Sequence, residues 1–294
     1  MSKTKAILRR ALSGCLLLLF AVNLSSQAPE SGAGDAKTEG ISPNTAEAIL
    51  DRALDRTTAQ EESGAELTFE FALRSIVDSI NGDGEVTDTK TTAYHGYPLE
   101  GHRFEELIAR DGEPLDEGDA RDEAKRKREF ASEARAHTAR GERYEPNEMA
   151  VRFDRQLMDR YEITLLGSET IRDHTCWVLA FEPRSGRLPD DRRMDKALNR
   201  STGRLWISQD DYGVARIAFK MQRPFRYLWG LVATLRNAEG QLDFELIQPD
   251  IWAPSTFNLE MDLRVFFKGI RRRIQQHWSD YQPVDLAVQG EPIP

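Results

Sequence analysis

The sequence predicts an α+β protein, mainly β, built on one large, curved antiparallel sheet whose concave face is covered by helices. About ten segments have strand character, and most are joined by short turns, which implies antiparallel pairing. Several segments alternate apolar and polar residues, so one face of the sheet is packed and the other is wet. Helical periodicity occurs early in the chain, and these helices must cover the apolar face because a sheet cannot leave it bare.

Length and charge exclude several classes of protein. The chain has 294 residues, a formal net charge of −9, 30% charged and 39% hydrophobic residues, and two cysteines. The acidic balance argues against nucleic-acid binding and against tight electrostatic adhesion to an anionic membrane, because cations are not in excess. Two cysteines exclude a disulfide scaffold and a thiolate-rich metal cluster. The hydrophobic fraction is too low for a multi-span membrane protein.

Residues 1–28 have the layout of a secretory signal peptide. Four basic residues precede an apolar run of 14 residues, whereas a spanning helix needs about 20. We therefore expect export to the periplasm or the outer-membrane periphery, with an uncleaved anchor as the weaker alternative. Cys15 matches a lipobox by letters but precedes most of the apolar run, which argues against lipidation. Cleavage after Ala28 would give a net charge of −13 and leave Cys176 as the only thiol.

The chain beyond this leader is predicted to form one domain over residues 43–283. Residues 29–42 are rich in Gly, Ser, Ala and charged residues and are typical of a disordered linker. Residues 284–294 are predicted to be a loose tail. The Ser-Pro pair at 42–43 is a helix-start signal, and apolar residues follow helical spacing to about Ala59.

Three strands and a charged helix are expected next. Leu67–Arg74 alternates, Asn81–Gly84 is typical of a hairpin turn, and Glu85–Tyr94 is polar on both faces, as an edge strand is. Phe104–Arg110 is the third strand. The insertion 113–145 places acids before bases, which suits the dipole of a solvated surface helix. The alternatives for this insertion are a surface for an envelope protein partner and a basic patch for lipid headgroups or nucleic acid.

The second half is predicted to be a meander of strands. Thr175–Phe181 is apolar on both faces, as a central strand is, and Phe257–Val265 is the clearest period-two run. The other predicted elements are a short helix near Met149 to Met158, strands at Ile163–Leu166, Arg204–Ser208, Val214–Met221, Leu228–Leu235 and Leu242–Ile247, a turn at Asn237–Gly240, and a last strand from Gly269 to near Tyr281.

Two adjacent segments resemble a known family. Residues 203–217 (GRLWISQDDYGVARI) and the strand before them, 174–183 (HTCWVLAFEP), resemble the hairpin and preceding strand of the LolA-like, outer membrane lipoprotein-sorting proteins of the bacterial envelope. The resemblance spans about residues 43–283, although the insertion 113–145 and the longer C-terminal meander depart from the small carriers. It implies an unclosed half-barrel whose concave side holds acyl chains or the lipid anchor of another protein. An envelope regulatory or scaffold protein on the same fold is the alternative.

The sequence lacks the common short motifs of covalent chemistry. The sequence has no HExxH, GxSxG, P-loop or GxGxxG motif, and its five histidines lack metal-ligand spacing. We therefore predict no catalytic residue, cofactor or metal. His174 and Cys176 would face the same side of a strand, so a hydrolase with a non-sequential site is the less favoured alternative. Asp210 and Asp211 could hold a cation, but adjacent acids are common in turns.

Arg272 is a candidate for ligand binding. Alternation places it with Ile270, Ile274 and Trp278 on the apolar face, where a charge needs a partner or an anionic ligand. Aromatic residues could line a lipid cavity or fill an ordinary core. The predicted ligand-binding residues are Arg272, Trp206, Phe219, Trp229, Phe257 and Trp278, with Trp252 and Phe266 as further aromatic candidates.

Overall fold

A computed structural model describes residues 45–141, 144, 151–192, 194–227, 233–266 and 268–284. Outside these residues lie the predicted leader with Cys15, the linker, the helix start at 42–43, Met149, Trp229 and nearly all of the tail. The division of the chain into leader, linker, domain and tail therefore stays a prediction.

Strands form most of the described structure. They are β1 (Phe69–Ile80), β2 (Val86–Leu99), β3 (His102–Arg110), β4 (Glu113–Pro114), β5 (Tyr161–Ile171), β6 (His174–Pro183), β7 (Ser201–Ser208), β8 (Val214–Met221), β9 (Phe225–Tyr227), β10 (Ala233–Gln248), β11 (Ile251–Val265) and β12 (Lys268–Pro283). All belong to one sheet, in the order β4-β3-β2-β1-β12-β11-β10-β8-β7-β6-β5, with β9 beside β10. Every pairing is antiparallel, and β4 and β5 do not pair with each other. The predicted class, mainly β with an unclosed half-barrel, is confirmed.

The register of the sheet defines its two faces. Cross-strand partners share a face, and the pairs link Leu179, Leu205, Ile217, Leu242 and Phe257 in one row. All five are buried. We call the face that carries this row the inner face, and the opposite one the outer face. Because side chains alternate along a strand, the face of every other paired residue follows from these five.

Helix α1 (Ala46–Glu62) covers the inner face of β6, β7 and β8. Its N-cap is Thr45, whose hydroxyl accepts a hydrogen bond from the backbone N–H of Ala48 at 3.2 Å. Ile49, Leu50 and Leu54 recur at helical spacing and pack in one cluster with the buried residues of these strands. Burial of each of these side chains stabilises the contact by about 1.5–3 kcal/mol.

Helix α2 (Glu117–Ala139) lies on the other side of the sheet. Its Phe130 and Ala134 pack against Phe104, and Phe104 is the cross-strand partner of Tyr97 on the outer face. We expected the helices to cover the concave face. Helix α1 does so on the inner face, whereas α2 packs on the outer face, so the expectation is wrong for α2. The physical reason is that β3 is apolar on both sides, with Leu107 pointing inward and Phe104 outward.

The expected edge strand at Glu85–Tyr94 is corrected by the pairing. β2 lies between β1 and β3, so it is an internal strand. However, β3 pairs with β2 only from Thr92 onward, and the first residues of β2 extend past the end of β3. Those residues are exposed, which accounts for the polar sequence that suggested an edge.

The expected turn at Asn237–Gly240 is wrong, because these residues lie inside the continuous strand β10. A β-bulge between Leu235 and Asn237 shifts the register, so the polar residues that break the alternation are accommodated within the strand. Gly240 serves packing instead of a turn: a Cβ atom there would lie 2.7 Å from the ring of Phe219 on the neighbouring strand. Its missing side chain makes room for that ring.

Several boundaries also differ from those predicted. Leu67 and Thr68 form a 3-10 turn with Ala65, and the first strand begins at Phe69. The short helix expected near Met149 to Met158 is α3 (Arg155–Met158), within the described residues. The polar segment after β6 contains a short helix, α4 (Asp195–Leu198).

Candidate functional site

The candidate site is the inner face of strands β1, β12, β11 and β10. Its central part is a closed apolar cluster in which every member is at most 4% exposed. The members of this cluster are Phe71, Leu73, Leu242, Phe257, Leu259, Ile274 and Trp278. This part of the inner face is already packed and offers no free surface.

The same face continues beyond the cluster with half-exposed apolar residues. Leu263 pairs with Leu235 and Ile270, and Met261 pairs with Ala238 and Arg272. We call this surface the open end; its apolar residues are Phe225, Ala233, Leu235, Ala238, Met261, Leu263, Val265 and Ile270. Met261 and Ala238 also pack against the buried cluster, so the open end is continuous with it.

Arg272 lies at the border between the cluster and the open end. It shares the inner face with Ile270, Ile274 and Trp278, which is the arrangement that its alternation predicted. Its guanidinium donates a hydrogen bond to the hydroxyl of Ser79 on β1. The side chain is half-buried, and within the described ranges no carboxylate lies within 4.0 Å of it. A positive charge beside apolar residues is thus left without a counter-charge.

The aromatic candidates divide between the two faces. Phe219, Phe257 and Trp278 belong to the inner face, and the buried Trp278 Nε1 has no hydrogen-bond partner within the described part of the chain. Trp206 lies on the outer face and belongs to one cluster with Trp252, and its Nε1 donates to Glu169 at 2.8 Å. The structure therefore places three predicted aromatic residues on the same face as Arg272 and leaves Trp206 on the other face. Trp229 lies outside the described residues.

Where α1 approaches the strands, side chains fill the inner side. A cavity of about 20 Å³ lies between Gln60, Phe69, Phe244 and Trp252, and it has room for one water molecule at most. A larger depression, of about 400 Å³, opens on the outer face over small residues such as Ala72, Ala93 and Ala109.

Polar contacts hold α1 in place. Arg56 pairs with Asp211 at 2.9 Å, Gln60 donates to the carbonyl of Trp252 at 3.0 Å, and Arg52 donates to the hydroxyl of Tyr212. Burial alone would raise the pKa of Asp211, but hydrogen bonds from Trp252 and Gly213 and the charge of Arg56 hold it below its usual value. Asp211 thus anchors α1, which is a structural role and not that of a cation ligand.

The residues considered for catalysis do not form a catalytic pair. Cys176 is fully buried, its Sγ lies 3.6 Å from the carbonyl oxygen of His174, and the His174 ring packs on Trp252 instead of reaching the thiol. Burial raises the pKa of the Cys176 thiol to about 11, opposite to the change that a nucleophile needs. Among the described residues, no group of three or more His, Cys, Asp or Glu side chains could hold a metal ion.

The exposed side of α2 carries two ion pairs within the helix. Lys125 pairs with Glu129 at 3.6 Å and Arg121 with Glu117 at 3.4 Å, both at i,i+4 spacing. This pattern is typical of a solvated helix. A partner surface on 113–145 stays a prediction. None of the described helices is both long and apolar enough to cross a membrane.

The sequence reasoning missed most of the open end. The alternation of Phe257–Val265 contained the signal, because it places Met261, Leu263 and Val265 on the face of Phe257. What it could not supply is the pairing with β10, whose first residues, Ala233 and Leu235, complete the surface.

Comparisons with known proteins agree with the resemblance seen in the sequence. No family model and no curated protein matches the chain. Among solved structures, 22 chains match. One is an outer membrane lipoprotein-sorting protein domain from Vibrio parahaemolyticus, 12% identical, with a TM-score of 0.37 and coverage of 84% of this chain and 95% of that chain.

Two other solved structures match this chain at similarly low sequence identity. A LolA superfamily protein from Nitrosomonas europaea is 14% identical, with a TM-score of 0.31 and coverage of 83% of this chain and 95% of that chain. The MucA/MucB complex of Pseudomonas aeruginosa matches at 11% identity and a TM-score of 0.23, over 81% of this chain and 98% of that chain. The resemblance to LolA-like proteins is thus confirmed as a similarity, and at these TM-scores it transfers no function.

Proposed function

We propose that this chain is an exported binding protein of the cell envelope that holds acyl chains of a lipid or lipoprotein at the open end of its inner face. It performs no covalent chemistry, and the ligand is released unchanged. The observation that carries this proposal is the half-exposed apolar surface around Met261, Leu263 and Ile270, which continues the buried cluster without a break. The predicted leader at 1–28 supports export.

The physical basis is the removal of apolar surface from water. Burial of each CH₂ group of an acyl chain contributes about 0.8 kcal/mol, so a chain lying along Leu235, Leu263 and Ile270 gains affinity with its length. Arg272 adds a cation at the inner border of the same surface. Its guanidinium, whose polar partner among the described residues is the Ser79 hydroxyl alone, fits a carboxylate or phosphate at the head of the ligand.

Two further residues of the buried cluster fit this role. Phe257 and Trp278 lie on the inner face beyond Leu259 and Ile274, and Phe219 lies on the same face and also packs against the cluster under α1. These aromatic residues continue the apolar character of the open end along the inner face. Trp206, on the outer face, has no part in the proposed site.

The experiment is native mass spectrometry of the protein purified from the envelope of its own source. Co-purifying lipid is the expected result. Leu263→Glu should remove it, whereas Leu166→Glu, at a residue that is 52% exposed on β5, should not. Bare wild-type protein that also fails to bind a fluorescent long-chain fatty acid would overturn the proposal and favour the regulatory or scaffold alternative.

The role of Arg272 can be tested separately. Arg272→Gln should weaken binding of a long-chain fatty acid by about tenfold or more, because a charge-assisted hydrogen bond is lost. The same substitution should leave the corresponding fatty alcohol almost unaffected. Equal loss for the acid and the alcohol would assign Arg272 a structural role only.

A further inference from the structure

The strand ends around the open end carry a concentration of positive charge. Segments 223–236 and 262–273 contain eight Lys and Arg residues and one carboxylate, Asp262, in a chain whose net charge is −9. The register brings the two segments together, because Ala233 pairs with both Tyr227 and Val265. These strand ends are therefore locally basic, although the whole chain is acidic.

At least half of these cations make no ion pair with a described residue. Arg236 pairs with Asp262 at 3.8 Å, and Arg273 pairs with Glu260 at 2.9 Å. Four others are exposed and make no ion pair with any described residue: Arg223, Arg226, Lys268 and Arg271. We call these four residues the basic tip. Elsewhere in the chain, many arginines have a carboxylate within 4.0 Å, such as Arg56 and Arg155.

An exposed aromatic residue projects from the same place. Phe266, in the turn between β11 and β12, is 54% exposed and has a left-handed backbone conformation with φ of 51°. Arg226 and Arg271 lie on the outer face, since they pair with Thr234 and Asp262, while the open end lies on the inner face. The end of the sheet thus combines a projecting aromatic ring with cations unpaired among the described residues; Arg226 and Arg271 lie on its outer side and Lys268, the partner of Val265, on its inner side. The β1–β2 turn, with Asp83 and Glu85, borders it as an acidic margin.

From this arrangement we infer that the basic tip and Phe266 dock the protein onto an anionic phospholipid bilayer. Arginine and lysine side chains meet the phosphate groups at the surface, and Phe266 enters the interface, where aromatic rings are favoured. The occupant follows from charge complementarity together with the exposed ring, whose apolar surface can be buried in the interfacial layer of a bilayer. The inference goes beyond the proposed function, since it concerns the outer side of the strand ends and not the acyl-chain site.

The test is co-sedimentation with vesicles of phosphatidylcholine alone and of equimolar phosphatidylcholine and phosphatidylglycerol. Wild type should bind the anionic vesicles and not the zwitterionic ones, and added salt should release it. Arg226→Glu with Arg271→Glu should lower the partition coefficient by about tenfold or more. The matched control is Arg128→Glu with Arg187→Glu, which makes the same change in net charge at two other exposed arginines.

Each outcome decides the inference. Absence of wild-type binding to the anionic vesicles overturns it, and so does an equal loss in the control pair, which would mean that only total charge matters. Binding of single-stranded DNA that depends on Arg226 and Arg271, without vesicle binding, would replace the bilayer with nucleic acid. Phe266→Ser should lower vesicle binding severalfold while leaving its salt dependence unchanged. Fatty-acid binding by the Arg226, Arg271 variant should equal that of wild type, so failure here is distinguishable from failure of the acyl-chain site.

Discussion

Glu123 on α2 accepts a hydrogen bond from the backbone N–H of Leu107 on β3 at 2.9 Å. Three residues later on the helix, Arg126 pairs with Glu123 and donates to the backbone carbonyl of Glu105. The short strand β4 pairs only with Ala109 and Arg110, so these side chains satisfy a part of β3 that no strand covers. The charged helix thus blocks one edge of the sheet against further pairing.

Glu123→Ala should therefore expose this edge. We expect a loss of about 1–3 kcal/mol in the free energy of unfolding, because a buried N–H of Leu107 loses its acceptor. We also expect concentration-dependent association through the freed edge. Urea denaturation and sedimentation velocity measure the two effects. Glu129→Ala, an exposed position on the same helix, is the control; if it behaves like Glu123→Ala, the effect belongs to the helix and not to the edge.

Gly240 provides a test of close packing inside β10. Gly240→Ala should cost about 1–3 kcal/mol of stability, because the new methyl group would clash with the ring of Phe219. When Phe219→Ala is already present, the further change Gly240→Ala should cost much less stability, since the obstructing ring is then absent. A double-mutant cycle of unfolding free energies measures the coupling. Additive costs would show that the glycine is needed for some reason other than Phe219.

These relationships show where the sequence was informative. The hairpins β7–β8 and β11–β12 were predictable because their turns are short and each strand alternates or is densely apolar. The face of Arg272 was predictable for the same reason. Trp206 was not, because Leu205, Trp206 and Ile207 are all buried, and a continuous apolar run does not reveal which side chain points inward.

Long-range pairing was the other limit. Nothing in the sequence states that β1 pairs with β12, which places the N-terminal hairpin next to the last strand. For that reason the internal position of β2 and the outer position of α2 could not be predicted. The open end was missed in the same way, because it is formed by residues of β9, β10, β11 and β12 that only the sheet register brings together.

The thiol of Cys176 should be inert in the folded protein. Burial raises its pKa to about 11, so very little thiolate exists at neutral pH, and access is closed as well. We expect no reaction of the native protein with iodoacetamide at about pH 8 and complete reaction of Cys176 after unfolding in guanidinium, measured by mass spectrometry. Rapid labelling of Cys176 in the native state would contradict its buried position and reopen the question of a reactive thiol.

Asp195 and Arg160 form a buried ion pair whose side chains are 3% and 1% exposed, with 3.2 Å between Oδ1 and Nη2. Asp195→Asn would leave Arg160 charged and buried without a full counter-charge. We therefore expect a loss of about 3–5 kcal/mol in unfolding free energy at neutral pH. Asp190→Asn, at an exposed carboxylate in the same segment, should change stability little.

The pH dependence of the Asp195 variant gives a second, independent readout. Burial alone would raise the pKa of Asp195, but the backbone N–H of Arg192 and the charges of Arg192 and Arg160 lower it below its ordinary value. A lowered pKa in the folded state means that the stabilisation is complete above the ordinary aspartate pKa of about 3.9 and is lost as the pH falls through the folded value. The stability difference between wild type and Asp195→Asn, followed by urea denaturation, should therefore stay constant from neutral pH down to about pH 5 and shrink in stronger acid. A difference that instead grows with acidification would show that the pKa of Asp195 is raised in the folded protein.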